Sequence, residues 1–194
     1  MKLKPFYQGK LDVFCAIYAV LNALRLTHGL RTLKARDILN ETLLGLSTNQ
    51  GAFRAFLNQE TDYISLVDHM LAIQSRRLPL HIEKPFASAT LPDLQTFWST
   101  CTEWMNPGGN AAASRAIILR FARYNRIGEV AAVRHWTTVD SISEESFHLF
   151  DSSHEAESIQ NLRKDAIVVK LGDLDEKHLF YVQPDSARFL RLPF

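Results

Sequence analysis

Cysteine, proline and glycine are scarce in this chain, at 2, 7 and 8 of 194 residues. Two cysteines, Cys15 and Cys101, cannot form the disulfide framework of a small secreted domain, and both are expected to stay reduced. No internal repeat and no low-complexity segment is present. An excess of one charge is missing too. Lys and Arg number 22 against 21 Asp and Glu, a formal charge of +1, so neither a nucleic-acid surface nor a polyanionic substrate is indicated. Nor is there an apolar run long enough to span a bilayer. The opening Met-Lys-Leu-Lys followed by an apolar stretch imitates a secretion signal. Lys10 and Asp12 interrupt the approach, Arg25 ends the run, and no small-residue cleavage site follows. The expectation is a cytoplasmic protein, or one delivered to a target-cell cytoplasm by a route that uses no signal peptide.

What remains is an ordinary globular composition, 46% hydrophobic and 22% charged, in a length that suits one domain with a substantial core. Apolar residues recur at helical spacing over 13–26, 33–46, 52–59, 64–75 and 91–105, with Pro92 suited to a first helical turn. Residues 80–86 read as a short extended segment. Pro107, Gly108 and Gly109 break the chain. Beyond them, 116–124, 131–139, 146–150, 166–171, 178–182 and 188–192 are rich in β-branched and aromatic residues between polar turns. Helices first and strands afterwards predict an α+β fold with an antiparallel sheet. The single domain, 1–194, divides into a helical lobe over about 1–106 and a β lobe over about 110–194.

Cys15 sits where a loop containing Gln8 runs into the first apolar helix. A cysteine at a helix N-terminus faces the positive end of the backbone dipole, which favours the reactive thiolate. Gln8 could donate its side-chain amide to the oxyanion formed when that thiolate attacks a carbonyl, alongside the Cys15 N–H, and Gly9 would let the loop bend towards substrate. Further along, residues 134–151 read as a hairpin. With 141–145 as its loop, Val139 opposes Phe147, Thr137 opposes Leu149, and His135 opposes Asp151 on one face. The carboxylate then fixes the imidazole tautomer and leaves the other ring nitrogen to serve a thiol. A one-residue change of register would alter every pair.

Gln8, Cys15 opening a helix, then His135 and Asp151 resemble the Gln, Cys, His, Asn/Asp order of papain-like cysteine peptidases. The residues that carry the resemblance are Tyr7-Gln8-Gly9-Lys10-Leu11-Asp12-Val13-Phe14-Cys15-Ala16, His135-Trp136-Thr137-Thr138-Val139-Asp140 and Phe147-His148-Leu149-Phe150-Asp151, about a sixth of the chain. They are similar in flavour to compact bacterial members, such as the exporter domains that cut after double-glycine leaders and secreted effector or toxin domains. Cys15 lacks the Cys-Gly-Ser-Cys-Trp context of the plant enzymes, and the third member is Asp rather than Asn. The resemblance implies a papain-like fold, with the nucleophile on the helical lobe and His and Asp on the β lobe. It also implies cleavage of a protein or peptide substrate through a thioester intermediate, without metal or organic cofactor. A narrow preference for a small-residue, glycine-containing site and an immunity or inhibitor protein as partner belong to the same expectation.

Other readings stay open beside it. The same Cys-His-Asp chemistry serves glutamine deamidases, transglutaminases and acyltransferases, and an inactive papain-like module would only bind. A lone cysteine on an apolar helix is most often packing, and Cys101 has no context beyond that. Asp140 rivals Asp151 for the orienting role but alternates to the face opposite His135. His148 and Trp136 read as ordinary surface or core residues, and 154–158 lacks the His-Glu-x-x-His spacing of a zinc site.

Overall fold

The computed structural model describes residues 3–8, 13–87, 90–108, 114–153 and 159–193. Its helices are α1 (Cys15–His28), α2 (Thr32–Ser47), α3 (Gln50–Leu57), α4 (Ile64–Ser75) and α5 (Leu94–Met105). Its strands are β1 (His81–Glu83), β2 (Arg115–Arg123), β3 (Val133–Ile142), β4 (Ser146–Leu149), β5 (Asn161–Arg163), β6 (Ile167–Val168) and β7 (Phe180–Arg191). They form one sheet in the order β1-β7-β2-β3-β4-β5, antiparallel along that path, with the two-residue β6 parallel to β7. The chain is a mixed α+β protein, as the order of periodic segments predicts. Among the described residues no helix is long and apolar enough to cross a membrane.

The sheet is buried on both faces because its central strands are apolar on both. In β2, Ala116 and Ile118 join Trp136 of β3 and Leu190 of β7 in the core built around α1 and α4. The alternate residues Ile117, Leu119 and Phe121 join Val139, Val182 and Phe189 in a second core under α5. Period-two alternation within a nearly continuous apolar run therefore serves two layers at once. α1 is apolar over most of its circumference, which suits a helix covered by the sheet on one side and by other helices elsewhere. Thr138 Oγ1 donates to the Ala19 carbonyl at 2.8 Å and so pins the first turns of α1 to β3. Gly29, at φ 63°, ends the helix in the left-handed conformation, with its N–H on the Arg25 carbonyl.

Several boundaries differ from the sequence reading, each for a local reason. Residues 80–86 contain β1, an edge strand on β7, and α5 packs under the sheet, although both fall within the first 106 residues. Pro92 precedes the first turn of α5 rather than entering it. Asp93 is the cap, its carboxylate accepting from the Thr96 N–H at 2.7 Å. Of 166–171 only Ile167–Val168 pairs, while Asn161–Arg163 forms a strand that no alternation announces. The segments 178–182 and 188–192 belong to one strand, β7. The two steps from Ile118 to Arg120 on β2 are matched by five steps from Gln183 to Arg188 on β7, and that bulge absorbs Pro184, which has no N–H to give a ladder. Gly9, Gly109 and residues 154–158 lie outside the described residues.

Candidate active site

Cys15 is the first residue of α1. Phe14 precedes it and supplies no side-chain cap, and the first turn carries no acidic residue, while Arg25 and His28 sit in the last. Within the first turn of α1 itself, no anion compensates the positive end of the dipole at the position of the thiol. Phe14 stacks on Phe56 at 5.3 Å between ring centroids, and Phe56 meets Tyr63 edge-on at 5.2 Å. This aromatic file joins the Cys15 end of α1 to the loop between α3 and α4.

His135 Nε2 lies 2.7 Å from Asp151 Oδ1, and both residues are buried. Cys15 is the second group, after Asp151, that favours the charged form of the same imidazole. With Nε2 held by the carboxylate, Nδ1 is the nitrogen left to exchange a proton with sulfur. Burial works against the imidazolium, but the hydrogen bond to Asp151, its negative charge and Cys15 together outweigh it and raise His135 to about 10. For Asp151 burial alone would push upward. The His135 hydrogen bond and charge, with hydrogen bonds from Thr137 and Ser153, instead lower it to about 2. Thr137 Oγ1 donates to Oδ1 at 2.7 Å and the Ser153 N–H to Oδ2 at 3.0 Å, so both carboxylate oxygens are occupied. Phe121, opposite His135 on β2, meets its ring edge-on at 5.7 Å.

The expected hairpin register is corrected here. His135 does not oppose Asp151 directly: Ile142 pairs with Phe147, Ser141 with His148 and Val139 with Leu149, around a bulge at Asp140. The strands run further towards the turn than 141–145 allows, which displaces the tip by three residues; the bulge returns one. A net slip of two preserves the face, because side chains alternate with period two. Extending the Val139–Leu149 register by two residues sets Asp151 across from Thr137, and it reaches His135 diagonally. Asp140, its rival, accepts from Ser141 Oγ at 2.9 Å. His148 pairs with Asn161 at 2.7 Å, and Trp136 is buried in the α1 core, its Nε1 donating to the Asp62 carbonyl at 2.9 Å.

Gln8 is fixed from two sides. Its N–H donates to the Ser152 carbonyl at 3.0 Å, and its Oε1 accepts from Ser152 Oγ at 3.2 Å. The amide nitrogen is the end of the side chain left as a donor. Two residues earlier, the wholly buried Asn22 of α1 clamps the Phe6 backbone, accepting its N–H at 2.7 Å and donating to its carbonyl at 3.2 Å. Asp151-Ser152-Ser153 therefore orients the histidine and holds Gln8 at once, while Asn22 ties the segment that carries Gln8 to α1, the helix that Cys15 opens. Sequence reasoning missed Thr137, Ser152 and Asn22. Asn22 alone left a trace, as a polar residue in an apolar stretch seven positions after Cys15. An apolar groove of about 530 Å³, lined by Phe6, Tyr18, Leu21, Ala35 and Leu39, opens beside Gln8.

Cys101 stands apart, wholly buried in α5, and burial pushes its thiol far up. Among the described residues no group of three or more His, Cys, Asp or Glu side chains could hold a metal ion. Comparison of the chain with protein-family models and with curated proteins gives no match.

Proposed function

We propose that the protein is a cysteine peptidase of papain-like arrangement, cutting a protein substrate through a thioester intermediate. Cys15 sulfur attacks the scissile carbonyl carbon while the developing oxyanion takes hydrogen bonds from the Cys15 N–H and the Gln8 amide. His135 gives its proton to the departing amine as the C–N bond breaks. It then takes a proton from the water that hydrolyses the thioester, and the thiol is regenerated. Asp151 keeps the ring in one orientation throughout and stabilises its charged form. The observation that carries the reading is the buried Asp151–His135 contact of 2.7 Å, on a ring whose charged form Cys15, the first residue of α1, also favours.

The proposed setting is a toxin or effector that works inside a target cell on a narrow, small-residue site, restrained by an immunity or inhibitor protein where it is made. Incubating bacterial lysate with the wild-type protein, and in parallel with immobilised Cys15→Ala, tests the reaction. The expected result is a protein retained by the variant and split into two fragments by the wild type. A small mass change without fragments would assign deamidation or acyl transfer to the same residues, and retention without any modification would leave a binding module. Expression in bacteria should slow growth in a Cys15-dependent manner, and indiscriminate digestion of casein would remove the narrow-specificity reading.

A further inference from the structure

Polar and charged residues buried in a fold are expected to be hydrogen-bonded, and here all but one are. Asn22 clamps the Phe6 backbone, Thr27 donates to the Ala23 carbonyl, Thr138 to that of Ala19 and Ser186 to that of Gln183, and Arg188 pairs with Asp68. His135, Thr137, Asp151 and Ser152 are bonded within the candidate active site. Gln74, near the end of α4, is the exception. It is 3% exposed, its side-chain amide has no hydrogen-bond partner among the described residues, and that amide is not sealed from solvent. The small part of Gln74 that is open lines a groove of about 290 Å³ between α2 and α4. Arg25, Thr102, Trp104, Arg115 and Arg123 each leave one atom unpaired as well, but those atoms are sealed, where no ligand reaches them.

The rest of the wall is apolar or already committed. Leu46 of α2 and Leu66, Met70 and Ile73 of α4 supply its apolar surface. Glu41 of α2 is held by Arg77, which follows α4, in a two-point ion pair at 2.6 and 2.7 Å, so those charges offset each other. Thr42 Oγ1 donates to the Ile38 carbonyl at 2.8 Å. Apart from the exposed His69, the Gln74 amide is the polar group of the wall still open to a partner. Gly45 gives the groove its depth on the α2 side. It lies in the last turn of that helix without a positive φ, and a Cβ there would meet no atom within 4 Å. Alanine is the better helix former, so neither backbone conformation nor packing within the chain requires glycine at this position.

We propose that the groove between α2 and α4 is a binding site for a small uncharged amphiphile, an aliphatic body of about six carbons carrying one amide. The apolar walls take the body. The Gln74 amide, with an acceptor oxygen and a donor nitrogen, meets the ligand's amide at two points and gains the partner it lacks. A charged head is disfavoured, because Glu41 and Arg77 already neutralise each other and nothing else in the wall would compensate its lost hydration. A volume at the low end of the range for small-molecule sites suits one such ligand and not a protein segment, whose interface would spread far beyond it. The site is separate from Cys15 and does not depend on its being a nucleophile.

The test uses hexanamide as the probe, followed by NMR through methyl-labelled methionine. Met70 lines the groove, while Met105, packed against the second core, serves as the control, and Met70→Leu identifies the Met70 signal. Hexanamide should shift the Met70 methyl saturably, with a Kd on the order of 1 mM, and leave Met105 in place. Gln74→Leu, which keeps the bulk and removes the amide, should weaken binding ~10-fold. Hexanoate should bind the wild type at least ~10-fold more weakly than hexanamide. Gly45→Leu, which fills the groove, should abolish binding and raise the melting temperature, and Gly45→Met serves if that variant fails to fold. No saturable shift of Met70, an equal shift of Met105, unchanged affinity in Gln74→Leu, or hexanoate bound as tightly as hexanamide would each overturn the proposal. Self-association of the wild type that Gly45→Leu abolishes and hexanamide does not disturb would assign the groove to a second copy and overturn it too.

Discussion

The two cysteines occupy helices on opposite faces of one sheet, and they are equally free of disulfides and both buried. Cys15 opens α1, where an uncapped helix end and a buried imidazole meet it. Cys101 lies inside α5, with Phe97, Trp98 and Trp104 in the same apolar core, and nothing there offsets the burial that opposes its charged form. Exposure does not separate the proposed nucleophile from the packing thiol. Position along the helix and the neighbouring imidazole do, because a helix start and a charged ring are what a thiol nucleophile requires.

The sharpest way to break this contrast is to remove each member of the Cys15 pair. Cys15→Ala should lower turnover of the trapped substrate by on the order of 10⁴ or more, and His135→Ala by a comparable factor, since the two act as a unit. Both variants should keep a cooperative thermal transition. Turnover surviving in Cys15→Ala would end the contrast outright.

The next largest effect concerns Asp151. Asp151→Asn should cost ~10²–10⁴ in turnover by loosening the ring it orients. It should also move the His135 ring titration, followed by NMR, from about 10 down towards the ordinary 6.5 or below. Stability follows with a definite sign. The Asp151 value of about 2 lies below its ordinary 3.8, so its contribution is complete above 3.8 and is lost as pH falls through about 2. His135 is raised, so its contribution is complete below 6.5 and is lost as pH rises through about 10. The melting-temperature gap between wild type and Asp151→Asn should therefore be widest between pH 3.8 and 6.5. A gap that grows on raising the pH from 7 to 10 would contradict the pairing.

Smaller effects sharpen the oxyanion end. Gln8→Ala should reduce kcat by ~10²–10³ with little change in KM, since its hydrogen bond strengthens in the transition state. Asn22→Ala, which releases the Phe6 clamp and leaves Gln8 itself intact, should reduce kcat by about tenfold and depress KM little. Equal losses in kcat and in binding for Asn22→Ala would make it a structural residue alone. Smallest of all, Cys101→Ala should leave turnover and Cys15 labelling nearly untouched while costing about 1 kcal/mol of stability for the cavity, read from denaturant unfolding.

Much of this site was legible in consecutive residues. The apolar periodicity before and after Cys15 places it at a helix start, and alternation in β3 puts His135 and Thr137 on one face, because helix and strand periods are properties of neighbours in the chain. The helices-then-strands order and the pairing of 134–151 as a hairpin are legible on the same ground. Register was not. It depends on where the turn closes and on the bulge at Asp140, and the His135–Asp151 contact survived the error because the net slip was even. Nor could the sequence show β7 as one strand, for Pro184 reads as a break unless a bulge absorbs it. The clamps on the Gln8 segment were invisible for a deeper reason. Asn22 and Phe6 are 16 residues apart, and Gln8 and Ser152 144, so no local pattern links them. Packing of α1 on the sheet brings those groups within hydrogen-bond range, and once buried there each of them takes whichever partner the fold has placed beside it.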